Sequence, residues 1–335
     1  MRCAGALVIA LLLLAPPAGA QDTGPVYGPP APRDVKTLTL VDPVDGHAFQ
    51  WEVPIASNAL GGYDSDGCTY ARGEQSRTSG VATSPTSLYS ARAESFERDL
   101  TDEQTQSLLV LLSGVGADVD DAKDLSPAAR YSLAAAVAEH LGDPAFDVAE
   151  LYLIGGWTVR DSIVGFLPGV RGAGDAWNKL QEVQALAAQV TDPHPRTRAL
   201  FDLARLAHRG GFPHERDDFL QKLDSFPDAG IGAQEKRTEF RRRVTHERAL
   251  LNQARANYRR GLEAREGDAS DRAVARLMVA DISRRLGEMD VARDEAEAVR
   301  MDTAAPPEVV MQAEDVLQAV KTQRAQPIAA TPETK

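Results

Sequence analysis

Arg276-Leu277-Met278-Val279-Ala280-Asp281-Ile282-Ser283-Arg284-Arg285-Leu286-Gly287, followed by Met289, Ala292, Ala296 and Val299, is the stretch that decides the fold. Apolar residues recurring every three or four positions make one face of a helix. Gly287 directly after Leu286 marks the end of that helix, since glycine enters the left-handed region of a helix C-cap without steric cost. A second apolar series restarts two residues later and stops before Pro306 and Pro307. Two helices joined by so short a turn must fold back on each other. Ala280, Gly287, Ala292 and Ala296 are the packing positions of this pair. The alanines let the helix backbones approach, and the glycine lets the chain reverse.

Outward from this pair, the same helical period covers 145–164, 174–190, 195–209, 214–224, 233–265, 270–285, 289–300 and 306–323. Short Gly, Pro or Asp turns separate these stretches, which predicts antiparallel helix pairs rather than one long coiled coil. The helical period begins near residue 94. Thr101-Asp102-Glu103-Gln104 has the form of a capping box, and Ser126-Pro127 places a cap residue before a proline at the first helical position. That second helix stops near Gly142. Gly155-Gly156-Trp157 lies inside an apolar helix and marks close packing or a kink; Trp51, Trp157 and Trp177 read as structural anchors.

The stretch 276–299 resembles the tetratricopeptide repeat, whose helix pair carries Leu-Gly at the turn and small residues on the second helix. Arg276 and Ser283 depart from the aromatic and tyrosine positions of that pattern. A weaker copy runs through Leu200, Leu203, Ala204, Ala207, Gly210-Gly211 and Phe219-Leu220. The resemblance implies stacked helix pairs whose concave surface receives a protein or peptide.

The N-terminal side has a different period. Leu38 and Leu40 alternate with Thr37 and Thr39, and Phe49, Trp51 and Val53 alternate with Gln50 and Glu52. Asp42-Pro43-Val44-Asp45-Gly46 between them supplies turn residues, so 38–53 reads as a β-hairpin. Residues 56–92 are rich in glycine and serine. A β/loop unit spanning only 35–92 has little core of its own and should pack on the helices C-terminal to it.

Leu40 to Phe49, Gly61 to Gly73 and Val81 to Ser90 together resemble an uncharacterised bacterial family in which Cys-Pro-x-Cys knuckles precede tetratricopeptide-like helices. In this chain the four cysteine places hold Asp42, Asp45, Ser84 and Ser87. A structural zinc site wants four Cys or His ligands, so the resemblance implies a zinc-ribbon-like frame emptied of its metal. The two turns are then expected to face each other, Asp42 and Asp45 accepting hydrogen bonds from Ser84, Ser87 or backbone amides.

Composition sets the location and excludes some classes. Met1 to Ala20 has a basic start, an apolar run from Ala4 to Leu14 and Ala18-Gly19-Ala20 as a small-residue cleavage site, the form of a signal peptide. A proline-rich linker at 21–34 comes next. The remainder is expected to be periplasmic or secreted, with no transmembrane segment. A net charge of −12 disfavours nucleic-acid binding, which relies on neutralising phosphates. Cys3 lies in the leader, so Cys68 has no partner for a disulfide.

Candidate chemistry is sparse. Asp42, Asp45, His47, Asp64, Asp66 and Cys68 are the candidate metal ligands. Asp64-Ser65-Asp66-Gly67 hints at a calcium loop, yet that register puts Gly62 and Gly73 where the EF-hand needs acids, so solvated turn aspartates are the ordinary reading. Cys68 reads as a half-buried loop thiol rather than a nucleophile. No Walker loop, Gly-x-Ser-x-Gly or His-Glu-x-x-His occurs, and His214-Glu215 and His246-Glu247 read as exposed helix residues. Arg241, Arg242 and Arg243 form a candidate anion or partner patch, against a solvated helix face as the ordinary reading.

The expected fold is therefore mainly α with a small β portion. A degenerate zinc-ribbon-like β-hairpin domain at 35–92 precedes a tetratricopeptide-like helical repeat domain at 93–323 and a disordered tail at 324–335. The expected function is an exported, non-enzymatic scaffold or adaptor that binds an envelope protein or peptide through its helical surface and needs no cofactor. The alternative is a metal- or small-ligand-binding envelope protein that uses the Asp-rich loops at 42–68, with a divalent metal as cofactor.

Overall fold

The computed structural model describes residues 35–73, 75–116, 122–167, 169–190, 192–225 and 233–325. The segments read as a leader at 1–20 and a linker at 21–34, and all but the first two residues of the expected tail, lie outside the described residues. The protein is mainly helical. Its small β portion is a hairpin of β1 (Val35–Val41) and β2 (Ala48–Pro54), paired antiparallel with Leu40 opposite Phe49 and Leu38 opposite Trp51. A second, minimal pair joins β3 (Ala82–Thr83) to β4 (Ser90–Ala91). Among the described residues ten α-helices come after the strands: α1 Asp102–Gly116, α2 Pro127–His140, α3 Ala145–Val164, α4 Ala173–Ala187, α5 Pro193–Gly210, α6 Pro213–Asp224, α7 Ala233–Ala264, α8 Ala269–Leu286, α9 Met289–Met301 and α10 Pro307–Ala325.

Local chemistry fixes many of these ends. The Thr101 amide donates to Gln104 Oε1 at 3.0 Å and the Gln104 amide to Thr101 Oγ1 at 3.2 Å, a reciprocal cap before α1. Ser126 Oγ caps α2 by accepting from the Ala129 amide. The helical period read from residue 94 first yields a 3-10 turn, Ala93–Glu97, and the α-helix starts only after this cap. Gly287 closes α8 in the left-handed region, at φ +91°.

The β portion takes its core from helices. Leu40, Phe49, Tyr89 and Phe96 are packed with Leu108 and Leu112 of α1 and Leu133 and Val137 of α2. The Phe49 and Tyr89 rings meet Phe96 edge-on, with centroids 5.5 and 5.2 Å away. In the centre α3 lies along α2 and α7. The two glycines of α3 allow this approach: a Cβ on Gly155 would lie 3.1 Å from Tyr131 Cβ, and one on Gly156 3.3 Å from Leu251 Cδ2. The helix is unbroken there, so the pair serves packing. At the C-terminal end α8, α9 and α10 pack in succession, and Ala280, Ala292 and Ala296 are buried between them.

Candidate functional site

The segment 61–70 is held between helices by charge. Its shape is local: the Gly67 amide donates to Asp64 O, the Asp64 amide to Cys68 O and the Tyr70 amide to Gly62 O. Gly62 must be glycine on two counts, a φ of +79° and an Arg171 Cα only 2.4 Å from where a Cβ would stand. This loop sends Asp64, Ser65 and Asp66 into the interior, where Arg160 of α3, Arg209 of α5, and Asp281, Arg284 and Arg285 of α8 meet them, with His208 of α5 and Glu247 of α7 beyond Arg160.

Asp64 receives Arg160 Nη1 at 3.0 Å, Arg209 Nη1 at 2.5 Å, Arg285 Nη2 at 3.0 Å and the Tyr70 hydroxyl at 2.9 Å. Asp66 receives Arg160 Nη1 at 2.8 Å, Trp157 Nε1 at 3.0 Å and the Cys68 amide at 3.2 Å. Asp281 takes Arg284 Nε and Arg285 Nε, both at 2.9 Å, and the Ser65 hydroxyl at 2.6 Å. Glu247 takes Arg160 Nε at 2.8 Å and lies 2.6 Å from His208 Nε2. Arg284 also donates to the Gly210 and Gly211 carbonyls, and Arg209 to the Gly61 carbonyl while lying 3.3 Å from the centre of the Tyr70 ring.

Arg160, Arg209, Arg284 and Arg285 balance Asp64, Asp66, Glu247 and Asp281, and all eight are buried. Net neutrality matters because an unpaired ion at such depth costs several kcal/mol. Burial alone would favour the neutral form of Asp66, but Arg160 and Arg285 outweigh it and hold the carboxyl well below its usual range. Burial likewise opposes ionisation of Glu247, and His208 and Arg160 together overcome it. Burial lowers the pKa of His208; Glu247 opposes that fall while Arg216 and Arg160 add to it. A neutral imidazole fits the contacts: Nε2 lies 2.6 Å from Glu247 Oε2, and Nδ1 accepts from Arg216 Nη1 at 3.4 Å. Chemically the arrangement is a buried network of charge-assisted hydrogen bonds that ties one loop to α3, α5 and α8 directly and to α7 through Arg160.

Several sequence expectations change here. Asp64 and Asp66 are not solvated turn residues; both are buried because guanidiniums supply the cations that make burial tolerable. Glu215 and Glu247 are buried rather than exposed, on the inward faces of α6 and α7. Cys68 is fully rather than half buried, and its thiol is pushed up by burial, which outweighs Arg77 and Arg160, so it stays protonated.

The six candidate metal ligands fall in two places. His47 and Asp45 are exposed at the β1–β2 turn, where Asp45 Oδ1 accepts from the His47 amide. Asp42 is buried and accepts from the Val44 amide at 2.8 Å and from Ser87 Oγ at 2.5 Å. Ser84 Oγ binds within its own turn, to Thr86 and Ser87. Thus Asp42 and Ser87 bring the two turns together, whereas Asp45 and Ser84 each serve their own. Among the described residues no group of three or more His, Cys, Asp and Glu is placed to hold a metal.

The arginine run is engaged locally. Arg241 pairs with Asp224 at 2.7 Å, while Arg242 and Arg243 both reach Glu239 at 2.7 Å. Sequence reasoning missed Arg160, Arg209, Asp281, Arg284, Arg285 and His208 as a group. The signal was present in part: Arg160 interrupts the apolar run of α3, and Asp281, Arg284 and Arg285 punctuate the apolar series of α8. Charges at such positions need partners. No family model, curated protein or solved structure matches the chain.

Proposed function

We propose that this chain is an exported, non-enzymatic scaffold whose helices bind a protein or peptide, in a periplasmic or secreted setting. The observation that carries the reading is the C-terminal stack. α8, α9 and α10 pack in sequence through alanines, as in a tetratricopeptide-like repeat, while Met301 and Met311 on the last two helices are 73% and 60% exposed. Large flexible apolar side chains at the surface of a helical stack suit an adaptable contact with another chain. The opposed turns at 42–47 and 84–87 fit a zinc-ribbon-like frame in which an Asp–Ser hydrogen bond stands where metal would be. No helix among the described residues is long and apolar enough to cross a membrane.

Cross-linking in the native envelope, with purification and mass spectrometry of the products, tests the reading. A recurrent partner that is lost on Met301→Glu plus Met311→Glu, with the fold retained, is the expected result. Recovery of the protein alone, or a partner indifferent to both substitutions, would contradict it.

A further inference from the structure

A cleft of about 240 Å³ separates β4 and the 3-10 turn after it from α2 and α3. It is distinct from the charge cluster and from the C-terminal stack. Val137 and Ala138 of α2 and Leu151 of α3 are apolar residues of its lining. Arg92, Glu94 and Arg98 lie on the β4 side, and Asp143 and Asp147 lie on the α3 side.

Two ion pairs span the cleft. Arg98 holds Asp143 through two bonds, at 2.7 and 3.1 Å, and Arg92 Nη2 meets Glu150 at 2.6 Å. Arg98 is thereby satisfied by a fork-to-fork contact. Arg92 makes a single contact and keeps N–H groups for another acceptor. Asp147 has no ion-pair or hydrogen-bond partner for its carboxylate among the described residues. Partial burial, with Glu150, Asp143 and Glu266 nearby, outweighs Arg92 and raises its pKa, as expected of a carboxylate short of a counter-charge. Glu94, at the rim beside Arg92, is a second carboxylate without an ion pair among the described residues.

We propose that this cleft binds a small zwitterion of amino-acid size, its carboxylate on Arg92 and its ammonium on Asp147, with Glu94 as a second acceptor. The volume argues for that size, since pockets for drug-sized ligands run to about 300–1,000 Å³. The spare N–H groups of Arg92 and the unpartnered carboxylate of Asp147 argue for a ligand with both charges, and the apolar lining residues receive an aliphatic side chain. The site is independent of the scaffold reading.

The test is calorimetric titration of the full chain with each standard L-amino acid in turn. The best binder is then compared with its N-acetyl and methyl-ester forms. The site predicts saturable binding of at least one aliphatic amino acid, weakened about tenfold or more by either block, since each removes a charge-assisted contact. Asp147→Asn should weaken binding by a similar factor without changing the melting temperature by more than about a degree or two, because Asp147 is exposed and makes no such contact in the fold. Absence of binding at millimolar concentration would overturn the proposal. So would an ester that binds as well as the free amino acid, which would mark the cleft as a site for amines alone, or affinity that Asp147→Asn leaves unchanged.

Discussion

The turn at 42–47 and the loop at 61–70 have similar sequences and opposite fates. Each carries two aspartates near a glycine, and each could be read as a degenerate cation site. In the first, Asp45 serves its own backbone and Asp42 reaches one serine 45 residues away. In the second, Asp64 and Asp66 are met by arginines 94 to 221 residues further along the chain. What an acidic turn does is thus decided by the distant surface it packs on. Where helices present guanidiniums, carboxylates go inside and carry tertiary structure. Where they present none, Asp45 stays exposed and shapes its own turn, while the buried Asp42 is met by one serine hydroxyl and a backbone amide.

The sharpest way to break that contrast is to remove one arginine. Arg160 bridges Asp64, Asp66 and Glu247, so Arg160→Met should leave three buried carboxylates short of a partner. It is expected to cost about 3–5 kcal/mol in urea unfolding, as does breaking other buried pairs. A loss under about 1 kcal/mol would mean that water reaches the cluster. Next in size, Gly62→Ala should cost about 2 kcal/mol or more, since its φ of +79° and the Arg171 backbone both oppose a side chain.

His208 gives the pH test. Its folded pKa lies below its ordinary 6.5, so the unfolded chain takes up a proton first as pH falls. Stability from this group is fully present above pH 6.5 and declines as pH drops from there towards the folded pKa. His208→Gln should therefore flatten the stability profile below about pH 6.5. An unchanged slope would show that another group titrates there.

On the surface side of the comparison, Ser87→Ala removes the side-chain bond from Ser87 to Asp42 that joins the two turns and should cost about 1 kcal/mol. Arg242→Ala should change stability by less than about 0.5 kcal/mol, because its partner Glu239 is partly exposed and keeps Arg243. A ranking in which Ser87→Ala outweighs Arg160→Met would reverse the contrast between the two acidic turns.

How much of this was legible depends on the range of the forces. Helix existence and ends rest on near neighbours, so apolar period and cap residues alone place α3 at 145–164 and α6 near 214–224, where both are found. The hairpin was legible for the same reason, through alternation around Asp42-Pro43. The charge cluster was not, because its members pair across as many as 221 residues, as Asp64 does with Arg285. A single Arg160 in an apolar helix announces that it needs a partner without naming one. Asp64-Ser65-Asp66-Gly67 has the composition of a cation loop, and only the fold shows that the cations are arginines.

The most direct measurement is native-state hydrogen exchange at the amides of Asp64, Gly67, Cys68 and Tyr70. If the paired charges fasten this loop to α3, α5 and α8, these amides should exchange only by global unfolding, with the same denaturant dependence as the core of α3. Exchange through a local opening, faster by orders of magnitude and insensitive to low denaturant, would show that the loop detaches from the helices and that the cluster does not hold the fold together.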